Sequence, residues 1–289
     1  MLKKQKLAYS ILVILLTAAV LVWLAIFGQT SDNLLKVYFF DVGQGDSIFI
    51  ETPAGRQVLI DGGPDKTVLE ELNQVMPFHD RTIDLVILTH PDADHITGLI
   101  EVLEYYQVGH ILTGGFQKET VVYQKWQEII NRKNIPLTLA QAGQKIIFPT
   151  GLILEILWPE QSLMESLAKK ANDASVVGRL IYGQTEFLLT GDIERGIENY
   201  LVSHCSIEEL ESDILKVPHH GSRTSTGREF LKAVNPQIAV ISVGRENHYG
   251  HPHPDILERL KDVFVYRTDQ NGRIQISTNG VWFKVKTAK

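Results

Sequence analysis

The sequence predicts a layered α/β domain of about 255 residues behind a single N-terminal transmembrane helix. Three observations carry this. Short apolar runs alternate with segments of helical periodicity, residues capable of chemistry recur where those runs end, and Leu7 to Phe27 form 21 residues without a charge.

Composition narrows the chemistry. The chain has 289 residues, 44% hydrophobic and 21% charged, an ordinary globular balance. Its one cysteine, Cys205, excludes internal disulfides and a Cys-built zinc cage, so any metal must be held by His, Asp and Glu. The formal charge is −6, and −9 without Lys3, Lys4 and Lys6. That is not the balance of a protein that grips nucleic acid over its whole surface.

The basic start MLKKQK is followed by an apolar stretch long enough to cross a ~30 Å hydrocarbon core as a helix. Its exit, AIFGQTSD, has no A-x-A-like cleavage site, which favours an uncleaved anchor over a signal peptide. The lysines should stay cytoplasmic, placing residues from about 31 onward outside the cell membrane, or in the medium if the segment is cleaved. Residues 1–30 are thus read as the anchor or signal segment, and 31–289 as the domain that carries the chemistry. Ser31-Asp32-Asn33 reads as a polar linker. Strands are expected at 35–40, 47–51 and 56–60, the last running into Asp61-Gly62-Gly63, and a helix over 66–76. A strand at 83–88 leads to a helix with Ile96, Leu99, Ile100 and Leu103 on one face. Further on come a short strand at 111–112, a helix at 121–132, paired strands at 146–148 and 152–157, and a polar loop over 161–173. A hairpin spanning 176–189 ends in Thr190-Gly191-Asp192, with a helix after it. Strand 214–217 ends in Pro218-His219-His220-Gly221-Ser222, a helix lies near 227–234, and strand 238–242 ends in Val243-Gly244. The last pair, 263–266 and 273–277, brackets an Asn271-Gly272 hairpin turn. The units ending at Asp61 and Asp192 hint at two related halves.

The chemistry is densest in Thr89-His90-Pro91-Asp92-Ala93-Asp94-His95, a strand-to-helix loop where α/β sheets present ligands. Unpaired charges at the edge of an apolar run cost several kcal/mol unless compensated, and a divalent cation would compensate them. His90 with Asp92, and Asp94 with His95, can face two neighbouring metals. Asp192 is alone an ordinary turn residue, but a carboxylate there can bridge two cations. His219 and His220 read as one ligand and one substrate contact, or as surface residues. There is no P-loop, Ser-His-Asp arrangement or Rossmann fingerprint, and Gly43-x-Gly45 is too short for a dinucleotide site.

Taken together, Asp61-Gly62-Gly63, the THPDADH stretch, Thr190-Gly191-Asp192 and Val217-Pro218-His219-His220-Gly221-Ser222 resemble the metallo-β-lactamase-like hydrolase superfamily. Phe40-Asp41-Val42-Gly43-Gln44-Gly45-Asp46, Asn172-Asp173-Ala174-Ser175-Val176-Val177 and Tyr249-Gly250-His251-Pro252 also match, more closely, the hydrolase domain of the ComEC DNA-uptake (competence) family. The resemblance covers roughly 36–280. It implies a four-layer αββα sandwich and two divalent metal ions, zinc or manganese. His90 and Asp92 would bind one ion, Asp94, His95 and His220 the other, with Asp192 bridging. Asp61 would orient the metal loop through hydrogen bonds, or form the turn before Gly62-Gly63. Where the superfamily has a third histidine on the first ion, this chain offers only Asn172 to Ser175, and Asp92 stands for its second motif histidine. A metal-activated hydroxide would attack phosphorus, with His219 or His251 aiding the leaving oxygen and Asp94 in the catalytic centre. Ser222, Thr224 and Arg245, with Arg223 and Ser225, would contact phosphate, although such arginines are more often solvated. The reading is a membrane-anchored, extracytoplasmic phosphodiesterase or nuclease acting on DNA, with no obligate protein partner. The alternatives are hydrolysis of another ester, a lactone or a phosphorylcholine ester, and a non-catalytic metal-binding recognition module.

Overall fold

Alternation within the strands decides which layer each side chain enters. In the first sheet, β1 (Leu35–Phe39) points Leu35, Val37 and Phe39 to the centre of the molecule and Tyr38 outward. β4 (Thr82–Leu88) likewise sends Leu85 and Ile87 inward, Val86 and Leu88 outward. The structure, a computed structural model, describes residues 2–27 and 33–289. Its first element is helix α1 (Leu2–Phe27), 26 residues and so about 39 Å long. The mean hydropathy of Gln5–Trp23 is 2.1 and none of this stretch is buried. Chain contacts separate Met1–Asn33 from Leu34–Lys289 as two units. The expected boundary at residue 30 and the linker residues Ser31 and Asp32 lie outside the described residues.

In the second unit, β1 is followed by β2 (Ile48–Glu51), β3 (Gln57–Ile60), α2 (Thr67–Val75), β4, α3 (Ala93–Tyr105), β5 (Gln107–Thr113), α4 (Val121–Lys133) and β6 (Leu137–Leu139). Then come β7 (Lys145–Ile147), β8 (Ile153–Trp158), α5 (Met164–Leu167), β9 (Val177–Tyr182), β10 (Thr185–Leu189), α6 (Arg195–His204), α7 (Ile207–Leu210), β11 (Ile214–Lys216), α8 (Arg228–Val234), β12 (Ile238–Ile241), α9 (Pro254–Arg259), β13 (Phe264–Arg267), α10 (Thr268–Asn271), β14 (Ile274–Thr278) and β15 (Phe283–Thr287). They form an eight-stranded sheet, β15-β14-β1-β2-β3-β4-β5-β6, and a seven-stranded sheet, β13-β12-β11-β10-β9-β8-β7. Inner faces of both sheets share one core, in which Phe39, Ile60 and Ile87 meet Ile156, Phe187 and Val240. Helices α2, α3 and α4 cover the outside of the first sheet through Leu72, Leu99 and Trp126. Helices α6, α8 and α9 cover the second through Ile197, Phe230 and Ile256. The four layers are those the resemblance implies.

The two sheets repeat one plan. β2 and β3 pair antiparallel and then β4 and β5 follow in parallel. β9 and β10 pair antiparallel and then β11 and β12 follow in parallel. The site residues leave the ends of β3, β4, β10 and β11, equivalent positions in the two halves.

One expected pairing is corrected. Phe264–Arg267 and Ile274–Thr278 are not a hairpin across Asn271-Gly272, because β13 pairs with β12 in one sheet while β14 joins β1 in the other. Asn271 still turns the chain, its Oδ1 accepting the Arg267 N–H at 2.9 Å. The short strands β6 and β15 and the helices α7 and α9 add to the elements that periodicity predicts. The polar run 161–173 contains α5 rather than being wholly a loop.

Candidate metal centre

The THPDADH segment leaves β4 and turns at once into α3, so Asp94 and His95 occupy the first turn of a helix. That turn is held from below by Asp61, which adopts φ 57° directly after β3. Its carboxylate accepts the Thr89 N–H at 2.8 Å and the Thr89 hydroxyl at 2.6 Å, and lies 2.7 Å from His95 Nδ1. Asp61 thus hydrogen-bonds the loop while its own positive φ makes the turn. Burial holds its carboxyl above the usual range, with His95 opposing.

Four groups converge so that one ligand atom from each lies within 4.8 Å of the others: Asp94, His95, Asp192 and His220. His95 Nε2 is 3.3 Å from Asp192 Oδ2 and 4.0 Å from Asp94 Oδ2. His220 Nε2 is 3.2 Å from Asp192 Oδ2 and 3.3 Å from Asp94 Oδ2, but without the angles of a hydrogen bond. His219 and His220 both have positive φ, and this twist after β11 throws the two rings apart. His220 turns inward, its Nδ1 donating to the Ser242 carbonyl at 2.9 Å. His219 instead faces Asn172 Nδ2 at 3.3 Å, Thr224 Oγ1 at 3.5 Å and Glu194 at 3.7 Å.

His90 packs against His95 with ring centroids 4.1 Å apart and the ring planes tilted by 51°. Its Nδ1 meets Thr89 Oγ1 at 3.1 Å and Ser175 Oγ at 3.2 Å, while its buried Nε2 has no hydrogen-bond partner among the described residues. Asp92 is turned away from the cluster and pairs with Lys118 Nζ at 2.6 Å. His251 lies 5.6 Å from the His219 ring and 6.5 Å from that of His220. Ser222 and Thr224 bond each other at 3.0 Å beside His219, whereas Ser225 donates to the Pro218 carbonyl. Arg223 faces Asp255 at 3.6 Å, and Arg245 donates to the Asp269 carbonyl at 3.3 Å; neither is brought to the cluster.

Two site residues escaped the sequence reading. Lys216, the last residue of β11, is wholly buried. It donates to the Gly191 carbonyl at 2.9 Å, lies 3.4 Å from Asp192 Oδ1 and pairs with Asp46. Asp46 in turn lies 3.4 Å from His220 Nδ1. A signal for Lys216 exists: period two from Ile214 assigns it to the inner face, where an unpaired charge is forbidden. For Asp46 no local signal exists; only the fold shows how closely its segment approaches the metal loop, since a Cβ on neighbouring Gly45 would stand 2.2 Å from the Asp94 carbonyl oxygen.

The electrostatics separate the histidines. Burial, reinforced by His95, holds His90 well below the usual imidazole range. Burial likewise lowers His219, and with His220 and His219 it pushes His251 down to about 4. For His95 and His220 burial opposes protonation, but Asp192 with Asp61 or Asp46 raises both well above it. For Asp94 burial works against ionisation, yet His95 and His220 hold it well below the usual carboxylate range. Two convergent carboxylates around His95 and His220, with the buried Nε2 of His220 and of neighbouring His90 unpartnered among the described residues, fit a divalent cation.

Fold and site together define a metallohydrolase class of α/β sandwich. The chain belongs to the metallo-beta-lactamase superfamily, which matches residues 40–245. Its relatives include ComE operon protein 3 of Bacillus subtilis (strain 168), 32% identical over 260 residues, 83% of this chain and 32% of that protein. Competence protein ComA of Neisseria gonorrhoeae is 30% identical over 259 residues, 84% of this chain and 32% of that protein. The chain therefore spans about a third of the length of the curated relatives it matches. Among solved structures, the metallo-beta-lactamase fold protein YhfI from Bacillus subtilis superposes with a TM-score of 0.54 at 13% identity, covering 83% of this chain and 99% of that one.

Proposed function

We propose that this chain is a membrane-anchored, extracytoplasmic phosphodiesterase that acts on DNA. The observation that carries it is the convergence of Asp94, His95, Asp192 and His220, with the buried Nε2 of His220 left without a hydrogen-bond partner among the described residues. Asp94, His95 and His220, together with the carboxylate of Asp192, would hold one zinc or manganese ion. His90 and Asp92 would hold a second once Asp92 gives up Lys118. Bound ions supply Lewis-acid charge and an activated water for attack at phosphorus. Lys216 and Asp46 hold Asp192 and His220 from behind, and Asp61 fixes the face of His95. His219 and Thr224, 3.5 Å apart, would contact a phosphate oxygen. His219 and His251, both driven toward neutral imidazole, would donate a hydrogen bond to the leaving oxygen. DNA is favoured as substrate because the relatives include a competence protein, and the apolar α1 supports the anchor. Hydrolysis of another ester is the second reading, favoured by the formal charge of −6.

The test is metal content and turnover of the purified chain on DNA, a bis-aryl phosphodiester and a lactone, with manganese or zinc. Phosphodiester hydrolysis reduced to background by Asp94→Ala and by His220→Ala, with loss of bound metal, is the expected result. Lactone turnover without phosphodiester turnover overturns it, and a filled site without any turnover favours a recognition module. Resistance of the membrane-bound chain to carbonate washing checks the anchor.

A further inference from the structure

Three rings step outward from the metal centre in near-parallel orientation. His251 is tilted 29° to His220 at 6.5 Å, and Tyr249 is tilted 24° to His251 at 5.7 Å. His219 meets His251 edge-on, 78° at 5.6 Å, and braces it from the side. Tyr249 itself is 72% exposed, so the ring face turned from His251 is open. The backbone beneath is clamped. Asn247 Oδ1 accepts the His251 N–H at 2.9 Å, and its Nδ2 donates to the Gly244 and His251 carbonyls, each at 2.8 Å. The His253 N–H donates to the Gly221 carbonyl at 2.9 Å, tying the segment to the loop that carries His220. A singly exposed tyrosine needs no explanation. A tyrosine stacked in series with the rings of a metal centre, on an anchored loop, is a flat platform at the mouth of the site.

Resting on the phosphodiesterase reading above, we propose that Tyr249, backed by His251, is a stacking platform for one nucleobase flanking the scissile phosphate, and that it makes the site prefer single-stranded over duplex DNA. Every base has a π-face, so such stacking tolerates any sequence. A duplex has no free base face to offer until it is unstacked, which costs a few kcal/mol. The same phosphate chemistry would therefore run faster on a single strand. The sequence shows no aromatic-rich single-strand surface, and the platform consists instead of one tyrosine and one histidine brought beside the metal by the fold.

The experiment uses the full chain with manganese, and fluorescent single-stranded and hairpin-duplex oligonucleotides, reading binding by anisotropy and cleavage by gel. Tyr249→Ala should weaken single-strand binding about tenfold, the scale of one stacked base, and leave duplex binding within about twofold. Its thermal unfolding should not move, because the side chain is exposed. Tyr249→Phe should restore wild-type behaviour, since the ring and not the hydroxyl acts. An abasic residue moved along the strand should cost the wild type a similar factor at one position and cost Tyr249→Ala nothing there. Wild-type cleavage with an unaffected Tyr249→Ala variant, or equal losses on single strand and duplex, overturns the platform and leaves the nuclease reading standing. A wild type that neither binds nor cleaves DNA overturns both.

Discussion

Lys216 shows how much of the site depends on a residue that touches no solvent. Its ammonium is enclosed by Asp46, Asp192 and the Gly191 carbonyl. Burial disfavours the charge, but the two carboxylates overcome this and raise its pKa. Breaking a buried ion pair from one side leaves the other charge uncompensated, at about 3–5 kcal/mol. Lys216→Met is therefore expected to lose that much stability, read as a lower denaturant midpoint with unchanged slope. Lys216→Met combined with Asp46→Asn should cost less than the sum of the single changes, since both remove the same pair. The THPDADH cluster was legible because its residue types have few other uses at a strand exit. Lys216 is only half legible: period two places it on the inner face, but the carboxylates of two other segments that enclose it there meet only in the fold.

At the scale of elements, the centre depends on how closely α3 approaches the turn after β3. The Gly62 N–H donates to the His95 carbonyl at 2.8 Å and the Gly98 N–H to the Gly63 carbonyl at 3.0 Å. A Cβ on Gly98 would lie 1.9 Å from the Gly62 carbonyl oxygen and 2.5 Å from that of Asp65, both backbone atoms. Gly98→Ala should therefore destabilise the protein by about 1–3 kcal/mol, although alanine is the better helix former. The displaced helix would also pull His95 from Asp61, so metal affinity should fall by about 10- to 100-fold in a titration. An unchanged midpoint and affinity would show that the helix packs less tightly than its hydrogen bonds require. The same scale explains the corrected hairpin. Asn271-Gly272 carries a turn signal, but a turn reverses the chain without naming the strand's partner, and here β12 and β1 supply the partners.

Across the whole second unit, the centre joins its two sheets. Asp94 and His95 follow β4 of one sheet, and Asp192 and His220 follow β10 and β11 of the other. A cation bound by all four would tie the layers together and stabilise the folded state alone. At 100 times its dissociation constant the contribution is about 2.7 kcal/mol. For a domain of this size that is roughly 5–10 °C in melting temperature. Chelation should lower the melting temperature of the wild type by that amount and leave Asp94→Ala and His220→Ala where they were. A wild type indifferent to the chelator would mean that the sheets, through their shared core, need no such tie.

Local sequence determined the strands and helices with strong periodicity, the apolar first helix, and the ligand types at the ends of β4, β10 and β11. These follow from burial and residue chemistry, which act over a few positions. Only the tertiary structure decided that His219 faces Asn172 and Thr224, that Asp92 faces Lys118, and that β13 and β14 belong to different sheets. It also placed Asp46 and Lys216 behind the ligands and Tyr249 in front of them. Those outcomes depend on which strand ends the sandwich brings together, and charges more than a hundred residues apart select their partners only once the two sheets have closed.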